Sequence, residues 1–324
     1  MSAEPLHVPS ERGRPFWKQR KWEATIAFWA FMAPMLIGLT VFTFVPIVWG
    51  FLISLSNARN TIGISEFIGF QNYVDILSDR EFRRALRTIV VFTIFIVPLT
   101  FVVSLALAML VNGVGFGRPF FRTVFFIPAA ISYVIASLVW RMGIFNGTFF
   151  GVANMVLYEW FGIEEPTSWI SPRPDDPPWY WLVLITVRLW LQVGFYMIIF
   201  LAGLQEIPRD LYEAAFVDGA RRGWRTFRDI TLPMLRNTSI AVLLLNFIAA
   251  FQAFDEFFNI FGSSGASAGN LSLARTPLVY LHQIGIRNQN FGLASAGAFI
   301  LTILIIVVTL VQGRIFGFGR STAA

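Results

Sequence analysis

Thr88-Ile-Val-Val-Phe-Thr-Ile-Phe-Ile-Val-Pro-Leu-Thr-Phe-Val-Val-Ser-Leu-Ala-Leu-Ala-Met-Leu-Val111 runs for 24 residues without a charged side chain. As a helix it would be about 36 Å long, more than the hydrocarbon layer of a bilayer, about 30 Å thick. Five further apolar runs lie outward from it, near 25–50, 123–145, 180–204, 238–260 and 291–313, three of them interrupted by one or two charged residues. Apolar residues make up 56 % of the chain and charged ones 14 %, with 35 Phe and 11 Trp to cover lipid-facing and interfacial surface. The pattern predicts an all-α polytopic membrane protein with six transmembrane helices. Pro34, Pro46, Pro98 and Pro128 fall inside or near the ends of these runs. Neighbouring helices or water can satisfy the carbonyls they free.

The ends and loops fix an expected orientation. Arg12, Arg14, Lys18, Arg20 and Lys21 precede the first run, which is too long for a signal-peptide core and reads as an uncleaved first helix. With the N-terminus inside, cytoplasmic segments carry 15 Lys and Arg and outer segments 9, so both termini are expected in the cytoplasm. The net charge of +6 is therefore read as a topology signal rather than a nucleic-acid surface. Cysteine is absent, and His7 and His282 are too far apart to suggest a metal centre. The expected organisation is a cytoplasmic tail over 1–23, a membrane domain over 24–315 and a second tail over 316–324.

Two loops carry helical patterning. Ser78-Asp79-Arg80-Glu81 has capping-box spacing, with Phe82, Leu86 and Ile89 along one side. It reads either as an interfacial helix running into the second span or as a plain solvated loop. Between the fourth and fifth spans, Pro208 suits a first helical turn, Glu206 and Asp210 favour its N-terminal end, and Gly219 suits its stop. Leu211 and Ala215 form one stripe, and Tyr212 and Phe216 the adjacent one. After the glycine, Trp224, Phe227 and Ile230 recur at helical spacing opposite Arg221, Arg222, Arg225 and Arg228. Composition leaves two readings open, a partner-docking element and an ordinary loop.

Resemblance separates them. Glu213-Ala214-Ala215, Gly219 after three more residues, Asp218 before it, and Ile230-Thr231-Leu232-Pro233 resemble the EAA loop of ABC importer permeases. In that family the loop, here 206–233, holds the coupling helix seated in a cytoplasmic ATPase. The family usually has nine residues between that glycine and isoleucine, and this chain has ten. Phe67-Ile-Gly-Phe-Gln-Asn-Tyr73, Phe120 to Pro128, Leu201 to Pro208 and Phe291 to Ala296 also look like the sugar-permease branch. The pattern is similar to the maltose-type larger partner or the first glycerol-3-phosphate permease. Where that branch often has a Gly-Gly turn after span five, this chain reads Gly262-Ser-Ser-Gly265. The resemblance implies a type I ABC importer fold and a non-catalytic permease subunit in a bacterial inner membrane. It also implies a second homologous permease, two ABC ATPase subunits that bind the ATP and Mg, and an extracytoplasmic solute-binding protein. The solute it implies is a di- or oligosaccharide, with a glycerol-3-phosphate-type permease as the alternative.

A sugar path needs polar and aromatic groups within the bundle, because hydroxyls stripped of water must be satisfied. Helical spacing groups Gln252, Asp255, Glu256 and Asn259 in span five, and Arg188, Gln192 and Tyr196 with Phe195 in span four. Tyr133, Ser137 and Trp140 follow in span three. The resemblance places solute-lining positions near Tyr133, Gln192, Phe195, Ala253 and Glu256. Ionised groups in mid-span normally face inward and find partners, so Arg188 is expected to pair with Asp255 or Glu256, as a structural bridge or as part of a gate. A lone Arg188 suits a neutral sugar better than a phosphate. Gly292, Ser295 and Ala296 read as a helix-packing stripe. The chain has no phosphate loop and no His-Glu-x-x-His, so no cofactor is expected on it. A stand-alone secondary transporter or channel is the more distant reading, and no internal repeat supports it.

Overall fold

The computed structural model describes residues 20–148, 150–171, 176–220, 223–262, 267–268, 271–272 and 274–316. The tail arginines Arg12 and Arg14, Arg221 and Arg222, most of the turn from Gly262 to Gly265, and most of the C-terminal tail lie outside them. Span one is α1 (Arg20–Leu39), a π turn (Thr40–Phe44) and α2 (Val45–Ser54). Pro46 has no N–H to return to residue 42, and the wider turn just before it absorbs the mismatch. After α3 (Gln71–Ser78), α4 (Arg80–Gly113) forms span two as one 34-residue helix through Pro98.

The first residues of α4 correct the expected capping box. Asp79, not Ser78, is the N-cap, its Oδ1 accepting from Glu81 N at 2.6 Å and Phe82 N at 3.0 Å. Phe82 and Ile89 are fully buried against protein, Arg80, Arg83, Arg84 and Arg87 are exposed, and the helix runs unbroken into span two. Tyr280 donates to Asp79 at 2.7 Å, and Arg275 pairs with Glu81. Burial, with the Asp79 carboxylate beside it, pushes the Tyr280 phenol well above its usual range, so it stays a donor.

Span three is not the continuous helix expected from 123–145. It consists of α5 (Arg118–Phe126), a 3-10 turn (Ile127–Ala130), α6 (Tyr133–Val139) and a π turn to Ile144, and its two arms meet at a 92° bend. Pro128 tightens the turn, Ile131 is extended, and Ser132 restarts the helix by accepting from Val134 N. After α7 (Val152–Phe161), α8 (Tyr180–Glu206) forms span four. The connecting loop contains α9 (Arg209–Val217), α10 (Trp224–Thr226), a π turn (Phe227–Thr231) and α11 (Leu232–Met234).

Span five is likewise interrupted. α12 (Arg236–Phe251) ends, Gln252 to Phe254 turn, and α13 (Asp255–Phe261) begins. A two-residue hairpin, β1 (Ser267–Ala268) against β2 (Leu271–Ser272), and α14 (Pro277–His282) lead to α15 (Phe291–Phe316), span six. In lipid, helices associate through close packing rather than water exclusion, which favours small residues at contacts. Gly194 of α8 lies against the Phe125 carbonyl, where a Cβ has no room. Gly292 likewise meets the backbone of Ser56, and Ala296 is fully buried, so this stripe packs helices as its sequence suggested. A core centred on Phe92, Leu184, Val187 and Phe257 joins α4, α8 and α13.

Candidate functional site

The break in span five builds the first candidate site. Where α12 stops, its terminal carbonyls lose their helical donors and must be answered by side chains. Arg188 Nη2 of α8 donates to Ala249 O at 2.5 Å, and Thr276 Oγ1 donates to Ala253 O at 2.9 Å. Asp255 and Glu256 open α13, where the helix dipole favours acids. Arg188 Nη1 reaches Glu256 Oε1 at 2.7 Å, and both side chains are almost completely buried. One guanidinium therefore clasps both sides of the break. Its partner among the two acids is Glu256.

A cavity of about 200 Å³ opens beside this clasp. Tyr133 lines it from α6, Arg188 and Gln192 from α8, and Ala249, Gln252, Phe254, Asp255 and Glu256 from the break. The Tyr133 ring centroid is 5.4 Å from the Arg188 guanidinium carbon. Of the residues lining it, Gln192 Oε1 and Arg188 Nε are buried without a hydrogen-bond partner among the described residues. Asp255 is exposed.

The structure brings six of the seven expected path residues to one wall and leaves one out. Phe195 is 45 % exposed, stacks edge-on to Tyr196 and does not line the cavity. Tyr196 belongs to the inner core cluster, Asn259 donates to the Asp255 carbonyl within its own helix, and Trp140 donates to Thr186. The regular face drawn through Gln252, Asp255, Glu256 and Asn259 does not exist, because the helix restarts between the first two. The Ala249 carbonyl and Phe254 were missed. Adjacent acids after a run of apolar residues are the N-terminal signature that would have located the break.

The loop between spans four and five forms the second candidate site. Pro208 precedes α9, Asp210 lies in its first turn, Asp218 caps its end, and Gly219 takes φ +85°, a conformation that favours glycine. Tyr212 turns inward, its hydroxyl 3.0 Å from Thr231 Oγ1. With Phe216 it borders an apolar hollow of about 800 Å³ against Met109, Leu204 and Phe227. Glu213 and Ala214 face out, with Ala215 half-buried between the two sides.

The second half of the loop departs from its expected amphipathic face. Trp224 is 72 % exposed, Phe227 and Ile230 are half-buried, and the buried residues are Thr226 and Thr231. A π turn over Phe227–Thr231 accounts for this, since its wider winding holds one residue more than an α turn. Leu232 and Pro233 are exposed where the loop re-enters the bundle. Among the described residues no cluster of His, Asp or Glu could hold a metal ion.

A bent span, a broken span and a helical loop hung between two long helices make up a fold shared with ABC importer permeases. The chain belongs to the binding-protein-dependent transport system inner membrane component family, whose model matches residues 118–316. It is 31 % identical over 312 residues to the arabinooligosaccharides transport system permease protein AraP of Bacillus subtilis, covering 96 % of this chain and 95 % of that one. It is 30 % identical to the sn-glycerol-3-phosphate transport system permease protein UgpA of Agrobacterium fabrum, over 87 % of this chain and 92 % of that one. Its fold superposes with a TM-score of 0.77 on a bacterial alginate ABC transporter solved in complex with an alginate pentasaccharide-bound periplasmic protein. That match covers 93 % of this chain and 96 % of the other at 23 % identity.

Proposed function

We propose that this chain is one of two homologous permease subunits that together enclose the path of a small carbohydrate in an ATP-driven importer. In this reading an external binding protein delivers the solute, and two ATPase subunits hold the ATP and Mg. This chain holds neither and catalyses nothing. Its membrane domain spans 24–315, its tails 1–23 and 316–324 are cytoplasmic, and the 206–233 loop docks on one ATPase. Glu213, Ala214, Ala215, Asp218, Gly219, Ile230, Leu232 and Pro233 form or shape that contact.

The observation that carries the proposal is the cavity at the break of span five. It offers unpaired buried polar atoms and an aromatic face within an apolar bundle, which is what a desolvated polyol requires. AraP is named for an oligosaccharide and UgpA for a phosphate ester, so the relatives allow either solute. The oligosaccharide reading is the better supported, because Arg188 is already engaged by Glu256 and Ala249. The test is uptake of a labelled arabino- or malto-oligosaccharide by proteoliposomes holding the whole transporter and its binding protein. Uptake should require internal or external ATP according to orientation. Equal uptake without ATP would identify a stand-alone transporter instead.

A further inference from the structure

Charge is what separates the two solute classes, and the cavity has a definite charge. It holds three charged side chains, Arg188, Asp255 and Glu256. Arg188 and Glu256 neutralise each other at 2.7 Å, and the second guanidinium arm is held by the Ala249 carbonyl. Among the described residues Asp255 makes no side-chain hydrogen bond or ion pair, and it is exposed on the cavity wall. The wall therefore carries one uncompensated negative charge, framed by the apolar faces of Phe254 and Tyr133.

We infer that Asp255 is the charge-selecting residue of the path, admitting neutral and amino saccharides and turning away uronates and phosphate esters. This rests on reading the cavity as the solute path. Gln192 supports a ligand at this place independently, since it is 8 % exposed and its Oε1 has no partner. Arg188 acts as a positioning residue here. It fixes the break that presents Asp255, and while it is clasped it offers no anion a counter-charge.

The chain contains no cysteine, so a single Gln252→Cys change places one reporter thiol on the cavity wall. The detergent-solubilised transporter would be labelled with two methanethiosulfonates of similar size, one bearing trimethylammonium and one bearing sulfonate. The permease band would be read by mass. The cation-to-anion rate ratio should fall by on the order of tenfold when Asp255→Asn is added, as expected for a like charge a few Å away. Adding Glu256→Gln instead should release the Arg188 charge and move the ratio the same way or past unity. A ratio unmoved by Asp255→Asn overturns the inference, as does faster labelling by the sulfonate in the parent. Because labelling needs neither transport nor a binding protein, the two readings fail separately. Neutral-saccharide uptake with an unmoved ratio sinks the charge filter alone. A ratio that falls as stated, with no saccharide uptake, sinks the carbohydrate assignment and leaves the filter standing.

Discussion

Arg188 sits 4 % exposed in a membrane span, where a charge without a partner is costly on any scale. Its partners are divided across a helix break, a carboxylate on one side and a carbonyl on the other. That arrangement makes the two neighbouring acids unequal. Glu256→Gln strands a buried guanidinium and should destabilise the subunit by about 3–5 kcal/mol. Asp255→Asn changes an exposed group and should fall within about 0.5 kcal/mol of the parent. Thermal unfolding of the detergent-solubilised transporter, followed by tryptophan fluorescence, would rank them. Equal midpoints for the two variants would mean that the clasp does not hold the break. The sequence made Arg188 and both acids conspicuous because charges stand out in apolar spans. It could not choose between the acids, since helical spacing assumed a continuous helix through residues 252 to 254.

At the scale of elements, the bend of span three and the break of span five are held by what lies opposite them. Gly194 is the one position on α8 that lets the Phe125 carbonyl approach, and so sets where the 3-10 turn rests. Gly194→Ala has no room for its methyl and must push α5 and the turn away from α8, costing about 1–3 kcal/mol. Displacing α5 also shifts Tyr133, three residues past the turn, relative to Gln192. Uptake should therefore drop more than expression does, measured as transport per mole of purified permease. A variant with parental uptake would show that the bend is not fixed from α8. The helices themselves were legible as apolar runs, and five of the six were located to within a few residues at most ends. The interruptions were not. Pro128 and Ser132 are each tolerated in continuous helices, and only the backbone opposite decides whether the chain bends. The extra residue in the loop between spans four and five was visible by counting, whereas the π turn at Phe227–Thr231, across which Tyr212 meets Thr231, was not.

For the molecule as a whole, α8 joins the two sites directly. Arg188 lies 18 residues before Glu206 on one unbroken helix, about 27 Å by helical rise, and α9 follows after two residues. A push on the loop thus reaches the clasp through a rigid element rather than through a chain of loose contacts. This makes the two faces of α9 separable by mutation. Ala214 points away from the body, so Ala214→Trp should leave the permease fold and its thermal midpoint unchanged while blocking a close-fitting partner. Tyr212 points inward to Thr231 and the apolar hollow, so Tyr212→Ala should lower the midpoint as well as transport. The measurement is co-purification of the ATPase subunits, read beside thermal stability and cavity labelling at Gln252→Cys. Ala214→Trp should reduce ATPase recovery at least tenfold with cavity labelling unaltered. If the ATPase co-purifies at parental levels, α9 is not the docking helix.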